Sequence, residues 1–161
     1  MTTWTLTPEA FDSPAASSLR RDYYADVAGS YWKRPATPEE IDEGLAGEDE
    51  LPLLAPPSGQ FVVGRYGDAP AACGGVLMLD GGRGELTRVY VRPAFRGTGG
   101  GAALLDRLEE QARTLGAHTM VLNTRLDLVE ARRLYVRHGY AEIPAYRTGP
   151  YMDVWYGKAL G

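Results

Sequence analysis

Three consecutive glycines stand in the segment Gly97-Thr98-Gly99-Gly100-Gly101-Ala102, where they cost helix stability unless the backbone itself is the functional group. Before them run Glu85-Leu86-Thr87-Arg88-Val89-Tyr90-Val91, with an apolar strand pattern, and the turn Arg92-Pro93-Ala94-Phe95-Arg96. After them Leu104, Leu105, Leu108, Ala112 and Leu115 trace one helix face over Ala102 to Leu115. A glycine-rich loop entering a helix N-terminus offers unpaired N–H groups and the positive end of the helix dipole. The chemistry is anion binding, and the first inference is a phosphate-bearing ligand held mostly by backbone. A Walker loop is excluded, because no lysine is near and no Gly-Lys-Ser/Thr follows. Gly97 to Ala102 formally satisfies G-x-G-x-x-G/A, but a dinucleotide site also needs a repeated parallel strand–helix–strand series and a substrate domain. The chain has neither the order nor the length for these.

The elements that must position this loop follow from pattern and punctuation. Thr3 to Thr7 alternates as a first strand; Ser13-Pro14 caps a helix whose apolar stripe is Leu19, Tyr23, Val27 and Tyr31. Thr37-Pro38-Glu39-Glu40 has the capping-box form and opens a second helix to about Ala46. The acidic run Glu48-Asp49-Glu50 is expected as a solvated helix end or loop. Gln60 to Tyr66, Ala71 to Leu79 and Glu85 to Val91 read as three antiparallel strands joined by glycine-rich turns. Ala117 to Thr124 is a fifth strand, parallel to the fourth because a helix intervenes. Asp127 and Glu130 form a capping-box-like pair before a fourth helix carrying Ala131, Leu134, Tyr135 and His138, ended by Gly139. Ala141 to Ala145 and Met152 to Ala159 make a last hairpin. The expectation is one α/β (α+β) domain over residues 1–161, with a mixed, mostly antiparallel sheet of about seven strands and four helices.

Composition bounds the function. The chain has 161 residues, 44% apolar and 24% charged, with a net charge of −4, as in a soluble globular domain. No basic block marks a nucleic-acid binder, and no apolar run approaches the ~18 residues of a membrane span. Lack of an export signal makes a cytoplasmic protein the expectation. The single cysteine, Cys73, lies in an apolar strand pattern without a titrating neighbour and reads as buried. His118 and His138 lack metal-ligand company, so no metal is expected.

Two signatures together resemble the GNAT family of N-acetyltransferases. Arg96-Gly97-Thr98-Gly99-Gly100-Gly101 is similar to that family's R/Q-x-x-G-x-G/A loop, and Val89-Tyr90-Val91-Arg92-Pro93 to the strand preceding it. Ala131-Arg132-Arg133-Leu134-Tyr135-Val136-Arg137-His138-Gly139-Tyr140 resembles the A-x-x-L-Y-x-x-x-G-F/Y signature. The resemblance covers about residues 85 to 140 and implies the acyl-CoA N-acyltransferase (GNAT) fold. It also implies acetyl transfer from acetyl-CoA to an amine by direct attack in a ternary complex. Gly97, Thr98, Gly99, Gly100, Gly101 and Ala102 would hold the pyrophosphate, with Arg96 as charge partner. Val89, Tyr90 and Val91 would bind the pantetheine arm where the fourth and fifth strands splay. Tyr135 would protonate the departing thiolate, since a phenol of ordinary pKa near ~10 stays protonated at neutral pH. Glu85 is the candidate base, directly or through water; its alternative is an exposed strand-end carboxylate.

Two departures qualify the resemblance. Asn123 stands where ribosomal-protein acetyltransferases of the family carry a catalytic glutamate; it is assigned to cofactor or substrate contact. Leu128 stands where many relatives carry a cofactor-binding asparagine. Tyr23, Tyr24, Tyr31, Trp32, Tyr146, Tyr151 and Trp155 are candidates for an aromatic acceptor pocket, with Tyr31, Tyr146 and Tyr151 assigned to substrate. A small-molecule amine is the expected acceptor. A protein or peptide acceptor, or a non-catalytic acyl-CoA-binding module, are the alternatives, and a homodimer is an expectation by family analogy.

Overall fold

The computed structural model describes residues 3–161. Seven strands form one sheet in the order β1-β2-β3-β4-β5-β7-β6: β1 (Trp4–Pro8), β2 (Gly59–Tyr66), β3 (Ala69–Leu79), β4 (Arg83–Val91), β5 (Thr119–Thr124), β6 (Ala141–Glu142) and β7 (Val154–Ala159). Four helices flank it: α1 (Pro14–Trp32), α2 (Pro38–Ala46), α3 (Gly100–Thr114) and α4 (Val129–Arg137). Among the described residues, only the β4–β5 pair is parallel. None of the described helices is long and apolar enough to cross a membrane.

Strand periodicity divides the core into two layers, because successive side chains point to opposite faces. Phe61, Val63, Cys73 and Leu77 pack with Ala16 and Leu19 of α1. Their sequence neighbours Val62, Ala72 and Val76 pack with Leu104, Leu105 and Leu108 of α3 and with Tyr135 of α4. The two helices near the chain start are capped as their sequences require. Ser13 Oγ accepts from the Ala16 N–H, and Thr37 and Glu40 complete a reciprocal capping box.

Two expectations at helix starts are corrected. α3 begins at Gly100 rather than Ala102, because Gly99 takes the left-handed conformation (φ 87°) that turns the chain into the helix. α4 has no capping box: its N-cap is Leu128, without a side-chain cap bond. Arg125 takes the Asp127 carboxylate instead, with two bonds of 2.8 Å.

The sheet opens at its centre. β4 and β5 pair only over Arg83–Thr119, Gly84–Met120 and Glu85–Val121, whereas β5 stays paired with β7 as far as Thr124–Val154. The edge of β4 beyond Glu85 therefore lacks a partner strand, as the splay requires. A bulge accompanies the parting: β3 pairs Cys73 with Tyr90 but Gly75 with Thr87, leaving Arg88 and Val89 opposite Gly74. Arg88 sits there at φ 54°, and such a bulge bends its strand away from the neighbour.

Candidate active site

The glycine loop leaves its backbone donors unused. The Arg96 N–H bonds to the Pro93 carbonyl and the Ala103 N–H to that of Gly99. Among the described residues, none of the backbone N–H groups of Gly97 through Ala102 donates to a protein acceptor. Gly97 and Gly99 have φ of 79° and 87°, and nothing lies within 4 Å of where a Cβ would be. The loop thus leaves open space and unspent donors at the helix N-terminus, which suits a pyrophosphate. Arg96 turns back, its Nε on the Val91 carbonyl at 2.9 Å and its guanidinium 3.6 Å from Asp26.

Trp4 supports this loop from beneath, a role that no local pattern announces. Its indole N–H donates to Thr98 Oγ1 at 3.0 Å, and Thr98 in turn donates to the Phe95 carbonyl at 2.6 Å. Its ring meets Tyr66 and Phe95 edge-on, at 5.4 and 6.5 Å between centroids. Gly100 rests against the same indole, so closely that no Cβ would fit there.

On the open stretch of β4, Val89 and Val91 pack against the α3 layer, while Tyr90 is buried on the α1 side. Tyr23 meets the Tyr90 ring edge-on at 6.0 Å. Tyr135 lies across the sheet on α4, 6% exposed, with its ring against Tyr140 and Tyr156 at 6.1 and 6.3 Å. Burial raises its pKa, so the phenol remains a proton donor throughout the neutral range.

Glu85 stands where β4 and β5 part, and it is 2% exposed rather than an open strand end. Arg147 bonds both its oxygens, Nη2 to Oε1 at 2.6 Å and Nε to Oε2 at 3.1 Å. Tyr146 donates its hydroxyl to Oε2 at 2.5 Å, and Asn123 Nδ2 reaches both Glu85 Oε2 and the Tyr146 oxygen at 3.2 Å. Burial, then the bond to Glu85, raises the Tyr146 pKa. Trp155 fixes this corner by donating its indole N–H to the Arg147 carbonyl at 2.9 Å. Arg147 is a site-forming residue that the sequence reading passed over as part of a turn.

Asn123 also lines a cavity of about 280 Å³. Tyr23, Tyr24, Tyr31 and Trp32 of α1 form one wall, and Tyr151 on the β6–β7 connection faces them. Five of the seven aromatic candidates therefore meet in one cavity. Tyr31 and Tyr151, both in its lining, meet edge-to-face, 5.1 Å between centroids. Tyr146 and Trp155 do not line it: Tyr146 bonds Asn123, which does, and Trp155 bonds the Arg147 carbonyl. Leu128 lines the cavity as well.

The remaining candidates have structural places. Glu48, expected in solvent, is clasped between Arg88 of the bulge (2.5 Å) and Arg20 of α1 (3.4 Å). Cys73 is fully buried, and burial pushes its thiol up to about 12. His138 bonds Asp106 at 2.9 Å beside Glu109, whose carboxylate is already met by Lys158 at 3.0 Å and the Tyr140 hydroxyl at 2.8 Å.

Comparison with known proteins gives four further findings. The sequence profile of the acetyltransferase (GNAT) family matches residues 17–140. The chain is 34% identical over 103 residues to the IAA acetyltransferase of Azospirillum brasilense, spanning 63% of this chain and 66% of that one. It is 32% identical over 120 residues to an uncharacterized N-acetyltransferase of Schizosaccharomyces pombe, spanning 73% of this chain and 72% of that one. A GNAT family acetyltransferase from Elizabethkingia anophelis, solved with acetyl-CoA bound, shares the fold with a TM-score of 0.65 at 18% identity, over 98% of each chain.

Proposed function

The chain belongs to the acetyltransferase (GNAT) family, and on that premise we propose that it transfers an acetyl group from acetyl-CoA to the primary amine of a small molecule. The single observation that carries the reading is a continuous arrangement. The unspent N–H groups of Gly97 to Ala102 adjoin the open edge of β4, and Asn123 on the facing strand leads into an aromatic cavity. One sheet carries all of these parts, which supports treating residues 1–161 as one acetyltransferase domain.

In this reading the loop amides hold the pyrophosphate, and backbone groups of Val89, Tyr90 and Val91 bind the pantetheine arm and polarise the thioester carbonyl. The amine nitrogen attacks that carbonyl carbon, the C–S bond breaks, and Tyr135 gives its proton to the sulfur. Glu85 takes the proton lost by the amine by way of the Tyr146 hydroxyl, whose own proton already points at the carboxylate. Solvent restores both groups. Asn123, bonded to Glu85 and Tyr146 and lining the cavity, orients the acceptor. The cavity supports a small acceptor rather than a protein terminus, since α1 and the β6–β7 connection bound it on facing sides.

Release of CoA thiol across an amine panel, together with thermal protection by acetyl-CoA, tests the proposal. Protection with amine-dependent release is the expected result. Protection without release from any amine favours a non-catalytic binding module, and absence of protection overturns the donor assignment.

A further inference from the structure

The acceptor class can be narrowed from the charge balance of the cavity walls. Of the residues lining it, only Arg125 is charged. Three of its five N–H donors are taken, Nε and Nη2 by the two Asp127 oxygens at 2.8 Å and Nη1 by the Val27 carbonyl at 2.7 Å, and Asp127 neutralises its charge. A carboxylate on the acceptor would therefore meet a cation whose charge is already paired, and a charge that gives up solvent without a counter-ion of its own is costly. A polyamine or a polycationic sugar would need acidic partners for its additional ammonium groups. No Asp or Glu lines the cavity, and Asp127 is already paired with Arg125.

What the walls do offer is aromatic surface. Tyr31, Trp32 and Tyr151 are 51%, 40% and 60% exposed, an unusual cluster of large rings for a surface with no partner. Tyr151 holds φ 68°, a left-handed conformation that is rare for a bulky residue and costs energy. In that conformation its ring meets Tyr31 edge-to-face. The Arg125 guanidinium lies 5.2 Å from the Tyr31 ring, so the residue whose salt bridge neutralises the cavity also steadies that ring.

We infer that the acceptor is an arylalkylamine: one primary amino group on a short chain bearing an uncharged ring. The ring packs among Tyr24, Tyr31, Trp32 and Tyr151, and the amine reaches toward Asn123. The inference rests on the acetyl-transfer reading above and adds to it the chemical class of the second substrate.

The test compares phenethylamine and tryptamine with phenylalanine, tryptophan, spermidine and butylamine, by CoA thiol release at saturating acetyl-CoA. The two arylalkylamines should exceed each of the others in kcat/KM by at least about tenfold, the scale set by one misplaced charge or one unfilled apolar pocket. Equal or better turnover of the amino acids or of spermidine overturns the assignment. Tyr31→Ala and Tyr151→Ala should each raise KM for phenethylamine about tenfold while leaving KM for acetyl-CoA unchanged; unchanged phenethylamine KM in both overturns it. Calorimetric titration of phenethylamine into the CoA-loaded protein separates the two readings. Binding without turnover refutes acetyl transfer and keeps the aryl pocket, and absence of binding refutes the pocket.

Discussion

Replacing Gly100 by alanine should damage the donor site from below. An added Cβ would sit 2.8 Å from Trp4 Cη2 and closer still to Cζ2 and Cε2, against the 3.5–4.0 Å at which carbon atoms rest. The indole is rigid and pinned by its bond to Thr98, so either the ring or the loop must move by about an ångström. Overpacking of this kind costs about 1–3 kcal/mol, and alanine returns up to about 1 kcal/mol of helix propensity. The net loss is about 1 kcal/mol, which for a chain of this size lowers Tm by about 2–4 °C. The larger effect should be functional. Moving the loop misdirects the amides that the proposal assigns to the pyrophosphate, and one lost hydrogen bond to a charged group weakens binding about tenfold or more. KM for acetyl-CoA should rise accordingly, with KM for the amine unchanged. Gly101→Ala is the control, because its Cβ would meet the mobile end of Leu134 at 3.0 Å, which can rotate aside. In a double-mutant cycle with Trp4→Ala the two losses should be non-additive by about 1 kcal/mol or more. Wild-type Tm and acetyl-CoA KM in Gly100→Ala, with an additive cycle, would refute the reasoning.

Tyr135→Phe removes only a hydroxyl from a ring packed on Tyr140 and Tyr156; kcat should fall about 10²–10⁴-fold while calorimetry finds acetyl-CoA binding intact. Arg147→Met leaves the buried Glu85 carboxylate without its cation, and urea unfolding should show a loss of about 1–3 kcal/mol, whereas the double change with Glu85→Gln should recover part of it. Cys73, raised to about 12 by burial, should resist Ellman's reagent at pH 8 until the protein unfolds, so the protein adds no background to a thiol-release assay. Its contribution to the pH dependence has a definite sign. Below the unfolded value near 9 both states hold the proton and stability is unaffected. Between 9 and about 12 the unfolded thiol ionises first, so stability should fall by up to about 1.4 kcal/mol per pH unit. A Cys73→Ala variant should lose stability less steeply over that range.

What could be read from the sequence was what the chain builds locally. The cradle is such a feature, since glycines at positive φ, a preceding strand and a following helix are all consecutive residues. The capping box at Thr37 and the N-cap at Ser13 were legible for the same reason. Failures came where another side chain, near or far in the chain, competed for a local group. Asp127 had the right spacing to cap α4, but Arg125 offered two charge-assisted bonds and took the carboxylate. Glu48 sat in an acidic run that reads as solvated, yet the fold carries it between Arg20 and Arg88, which lie 28 and 40 positions away in the chain. Arg88 at φ 54° marks the bulge, and nothing in its own residue type foretells a left-handed conformation.

The same distinction separates the two halves of the candidate site. The half that the proposal assigns to the donor is made of backbone, so its specificity would be written in glycine positions and tolerate many side chains around it. The acceptor half is made of side chains from four separate segments: α1, β4, the end of β5 and the β6–β7 connection. Glu85 shows the consequence. As a letter it is a strand-end acid, but Tyr146, Arg147 and Asn123, at sequence separations of 61, 62 and 38, bury it and occupy its oxygens. Any proton it receives must then pass through that network, and Tyr146 is the member positioned to hand one over. Tyr146→Phe should accordingly lower kcat at neutral pH and leave acetyl-CoA KM unchanged, with activity partly recovering as rising pH deprotonates the free amine. A flat pH profile identical in shape to wild type would show that the proton leaves by another route.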